Sequence, residues 1–99
     1  MYTITNLHLN RFYMKLNIRD VAKAGPIYQQ VKDGLEELIK NNQLKSGETL
    51  PRPGAVAREN NIAESEVVRA YYELVVSGTL GKVQKKNPFG ETMVEHSVK

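Results

Sequence analysis

The chemistry this sequence could perform is that of exposed cations and carboxylates. It has no cysteine, which excludes disulfides and thiolate metal sites. His8 and His96 lie near opposite ends and are expected at the surface, too isolated to form a metal site. No nucleophile stands at a legible spacing from a general base, so neither an enzyme nor a bound cofactor is expected. What remains are Arg52, Arg58, Arg69, Lys82, Lys85 and Lys86, side chains that seek phosphate, and the run Glu64, Ser65, Glu66. Glutamate accepts a hydrogen bond from the cytosine amino group but is repelled by phosphate.

These residues need elements to position them. Ninety-nine residues are room for one domain with one small core. No apolar run is long enough to span a membrane. The N-terminus lacks the continuous apolar stretch of a secretory signal, so a cytoplasmic location is expected. Phe12, Met14, Leu16 and Ile18 alternate with polar residues or tyrosine, the period of a strand with one buried face. Pro26 then suits a helix start, and Ile27, Val31, Leu35, Leu38 and Ile39 form one face of a helix over 26–42. Gly34 interrupts it and implies a close approach by a neighbour.

A turn at 45–48 and an extended Leu50 before Pro51 lead to a short helix over 52–60. Asn60-Asn61 is a turn, Ile62 an anchor, and Ala63 a weak N-cap for a helix over 64–77. Val67, Ala70, Tyr71 and Leu74 are its inner face. Tyr72 faces outward, and Gly78 stands where a left-handed residue ends a helix. A hairpin over 79–95 follows, with a polar tip at Lys85, Lys86, Asn87 and Pro88. The expected core is Ile27, Val31, Leu35, Leu38, Val56, Ile62, Val67, Tyr71, Leu74 and Leu80.

The fold class is therefore mainly α with a small β-hairpin: three helices plus a wing, with an extra N-terminal strand, a winged helix-turn-helix. The boundaries are an N-terminal extension at 1–11, the domain at 12–95 and a tail at 96–99. Such a pair of helices suits duplex DNA. A helix fits the major groove, where each base pair shows a distinct pattern, and the second helix of the pair reads it with its N-terminal residues.

Three strings resemble the GntR family of DNA-binding domains: Pro26-Ile27-Tyr28-Gln29-Gln30-Val31, the stretch Leu44 to Pro51 reading L-K-S-G-E-T-L-P, and Val67 to Leu74 followed by Ser77-Gly78. Ala70-Tyr71 and the strand from Phe12 to Ile18 are closer to its YtrA-like and MocR-like branches. The resemblance covers about 12–95. It implies a transcriptional regulator with double-stranded DNA as partner, its third helix in the major groove and its basic wing on the backbone. Dimerisation is expected if binding is specific, through segment 3–18. The family's regulators normally carry a C-terminal sensing or dimerising region, and nothing here suggests an effector pocket.

The sequence also departs from that pattern. Gly54 stands where the family usually has arginine, with Arg52 two residues earlier as a substitute. Ala63, Glu64, Ser65 and Glu66 replace a more polar, less acidic helix start. The alternative reading is a winged-helix protein-interaction module that has lost DNA. Arg69 is either a phosphate contact or a solvated partner of Glu66 or Glu73. Lys82, Lys85 and Lys86 are either a DNA-binding wing or charges guarding an edge strand. Glu64 reads a base or favours its own helix N-terminus.

Overall fold

The helix lengths follow from where each apolar face runs out. In the computed structural model, which describes residues 16, 18, 19 and 24–99, α1 is Ile27–Lys40, α2 Pro53–Asn60 and α3 Glu64–Val76. The strands β1 Leu80–Lys86 and β2 Thr92–Val98 pair antiparallel, with Leu80 opposite Val98 and Lys86 opposite Thr92. Expected helix boundaries are met within two residues at each end. The strand expected over 12–18, the extension 1–11, His8 and the dimerising segment 3–18 fall outside the described residues, apart from Leu16 and Ile18. Both of these pack on the core in irregular backbone.

Val31 and Leu35 of α1, Val56 of α2, and Val67, Ala70, Tyr71 and Leu74 of α3 close on Leu80 and Val98 of the hairpin. Ile27, Leu38 and Ile62, expected in this core, pack against its margin. Leu44, Leu50 and Val98 are core residues not expected there, while Leu16 is buried, as the apolar face it shares with Ile18 implied, and so is Ala57 on the inner side of α2. Gly34 is where Leu16 docks: a Cβ there would lie 3.2 Å from Leu16 Cδ2. Gln30 holds the same approach segment, accepting from the Arg19 N–H and donating to the carbonyls of Arg19 and Gly25.

Two features differ from expectation. First, the stretch after the 45–48 turn is a second, short partner of β2. Thr49 bridges Ser97, and Leu50 N–H donates to the His96 carbonyl at 2.7 Å. One bridge has no hydrophobic period to announce it. Second, the hairpin does not stop at 95. β2 continues to Val98, which is buried, so 96–99 is not a tail. His96 is accordingly half-buried and meets the Tyr71 ring edge-on, centroids 4.9 Å apart. Burial, and then the Lys82 charge opposite it, push the His96 pKa below its ordinary value. Tyr71 is buried as expected and donates from its hydroxyl to the Pro51 carbonyl at 2.8 Å. Burial raises its pKa strongly.

Candidate nucleic-acid interface

Proline at the first helical position gives α2 its start, and Arg52 precedes it in extended backbone. At the other end Asn61 adopts a left-handed conformation, φ 54° and ψ 49°, that turns the chain within three residues into α3. This tight junction brings Arg52 and Arg58 of the α2 region beside Glu64, the first residue of α3. Together with Asn87, Thr92 and Met93 of the hairpin they line an open cleft of about 570 Å³. Arg52 Nη2 rests 4.0 Å from Met93 Sδ, which holds the guanidinium against β2. A Cβ at residue 54 would lie 3.3 Å from the Glu64 carboxylate, so the glycine gives that side chain its place.

The remaining residues of α3 part company. Ser65 is exposed at the open end of the helix. Glu66 instead reaches back to α1, where its carboxylate accepts the Tyr28 N–H at 2.9 Å. Pro26 has no side-chain oxygen with which to cap α1, and Glu66 supplies the missing acceptor from another helix. Arg69 lies over the Tyr28 ring, 3.7 Å from its centroid, and its Nε donates to Glu73 at 3.2 Å. Glu73 also takes Lys32 of α1 at 3.0 Å. Lys32 first, then Arg69, hold the Glu73 carboxyl below the usual range, and Glu73 raises the pKa of Lys32. Of the two carboxylates that helical spacing offered Arg69, it pairs with Glu73 rather than Glu66.

On the hairpin, Lys85 pairs with Glu95 at 3.1 Å. Lys82 and Lys86 are exposed and carry no ion pair among the described residues, nor does Arg58. The outer face of α3 exposes Val68, Tyr72 and Val76 at four-residue spacing alongside Ser65. Sequence reasoning found Tyr72 in this face but passed over the two valines, whose spacing was the available signal. It also missed Tyr28 as the platform for Arg69, and Phe89 at the hairpin tip, which is 87% exposed.

No family model and no curated relative matches the sequence. Among solved structures the chain is similar to YtrA from Sulfolobus acidocaldarius, a GntR-family transcription factor. The two are 33% identical with a TM-score of 0.63, over 76% of this chain and 70% of that one. The chain belongs to the GntR family. Its winged helix is thus the family's fold, and the departures noted above acquire physical content. Glycine at 54 leaves room for the Glu64 carboxylate, and Glu66 is spent on the start of α1. No described helix of this GntR-family chain is long and apolar enough to cross a membrane, and the described residues contain no cluster able to hold a metal ion.

Proposed function

We propose that this GntR-family chain is a sequence-specific, double-stranded DNA-binding transcriptional regulator, with α3 entering the major groove and the wing on the flanking backbone. The observation that carries this reading is the orientation of Glu66. The acidic start of α3 was the main objection to DNA, and one of its two carboxylates is turned onto α1. What remains outward beside Arg69 is Ser65, Val68 and Tyr72, suited to hydrogen-bonding base edges and touching thymine methyls. In this reading Arg52 and Arg58 on one side and Lys82, Lys85 and Lys86 on the other meet phosphates. Glu64, and Glu91 across the same cleft, are the acidic groups left near the groove; there Glu64 disfavours phosphate or accepts from a cytosine amino group.

One domain of this size makes few base contacts, so specific binding requires a homodimer on two half-sites roughly 34 Å apart. The test is enrichment from a random-sequence duplex pool. A consensus with two half-sites about one helical turn apart is the expected result. If the pool stays random and the chain stays monomeric, the proposal is wrong. The protein-interaction alternative is favoured by the apolar strip Val68, Tyr72 and Val76, 47%, 66% and 70% exposed. It predicts failure of that enrichment together with loss of a protein partner in Tyr72→Ser.

A further inference from the structure

The most exposed large apolar side chain of the described residues sits where the fold gives it no partner. Phe89 stands at the turn between β1 and β2, 87% exposed. The turn that carries it is firmly built. Asn87 N–H donates to the Glu91 carbonyl at 2.9 Å, and Gly90 N–H donates to the Asn87 carbonyl at 3.0 Å. The Asn87 side-chain oxygen accepts from the Phe89 and Glu91 N–H groups, both at 2.9 Å. The same carboxamide donates to the Glu91 carboxylate at 2.8 Å, which occupies the one acidic group at the tip. Gly90 takes φ +83°, which favours glycine, and Pro88 fixes the residue before the ring. An apolar ring is thus held out in water by a pre-formed scaffold, at the end of a strand carrying Lys82, Lys85 and Lys86.

The reach fits DNA. Seven strand residues at ~3.3 Å each carry the tip roughly 20 Å from the core, comparable to half of a ~34 Å helical turn. Asn87 at the tip and Glu64 at the start of α3 line one cleft, so tip and helix start lie on the same side of the molecule. We propose that Phe89 is a minor-groove wedge. With α3 in the major groove, its ring presses into an adjacent pyrimidine–purine step, partly unstacks it and bends the duplex toward the major groove. The lysines of β1 hold the neighbouring phosphates while it does so. The operator would then prefer a deformable TA or CA/TG step under the wing, a preference that needs no hydrogen bond from the protein.

This inference rests on the DNA reading above, and the test separates the two. The probe is the duplex that the parent protein enriches from a random pool. Permanganate reactivity reports unstacked thymines, and energy transfer between labelled duplex ends reports the bend. The parent should produce a reactive thymine outside the α3 contact and a bend of roughly 20–90°. Phe89→Ala should lose the reactive thymine and most of the bend, and weaken the enriched site about tenfold. Its affinity for random duplex and its salt dependence should hold, because the lysines remain. Phe89→Leu, still an apolar wedge, should restore much of the bend. Both variants should melt like the parent, since the ring packs on nothing. If Phe89→Ala bends and unstacks the site as the parent does, the wedge is wrong while the DNA reading stands. If the parent binds no duplex at low salt, both are wrong.

Discussion

The recognition helix and the hairpin use their charges in opposite ways. In α3, Glu66 is tied to Tyr28 and Glu73 to Lys32 and Arg69, so three of its four charged groups serve the contact with α1. In the hairpin, Lys82 and Lys86 carry no ion pair among the described residues, and Lys85 makes only an exposed pair with Glu95. Such exposed pairs contribute little and exchange readily for a phosphate. Counted along the sequence, α3 is acidic and the hairpin nearly balanced. Counted by the direction of each side chain, two of the three carboxylates of α3 are engaged by α1 and the wing carries cations without an ion pair among the described residues. The charge of a segment is a poor guide to the charge of a face.

That contrast can be broken in order of effect. Val67 is fully buried on the inner face of α3, and Val67→Ala should lower unfolding free energy by about 1–3 kcal/mol in urea denaturation. A parent-like transition would mean the inner face is misplaced. Glu66→Ala removes the acceptor of the Tyr28 N–H and should cost about 0.5–2 kcal/mol, as a lost cap does. Glu64→Ala should cost far less, and equal losses at the two sites would erase the distinction drawn between them. Arg69→Ala should shift stability slightly and duplex affinity little, because its guanidinium is engaged by Tyr28 and Glu73. A large affinity loss would return Arg69 to the groove.

The smallest effect is in pH. His96 is held below its ordinary pKa in the folded chain, so the unfolded chain binds the proton more readily. Stability should therefore be full above the ordinary histidine range, about 6.5, and decline as pH falls through it. His96→Gln should flatten that part of the profile, and a rise in the parent's stability on acidification would reverse the sign argued here.

Helices were legible because their apolar period is strong. Val31 and Leu35, or Val67, Tyr71 and Leu74, announce a face by spacing alone. The pairing of Thr49 with Ser97 was not legible, since a single bridge has no period. The last turn of the hairpin was lost because His96, Ser97 and Val98 hold only one strongly apolar residue, and Val98 finds its place from Leu80 across the strand. Candidate interface residues were named by charge, and helical spacing offered Glu73 as a partner of Arg69, which the structure shows, but not Tyr28. Glu66 and Arg69 were drawn to α1 by Tyr28, thirty-eight and forty-one positions away in sequence, beyond any local spacing rule. Gly54 and Glu64 were noted separately as departures, and only the fold makes them one feature.

The central claim is that the wing's spare cations hold duplex DNA. Its most direct test is the affinity for a random duplex at several salt concentrations, for the parent and for Lys82→Ala/Lys86→Ala. Each phosphate neutralised contributes about 0.9 to the slope of log affinity against log salt, so the double variant should lose up to ~2 units of slope and weaken all sequences alike. Unchanged slope in that variant, or a parent that binds no duplex at low salt, would contradict the account.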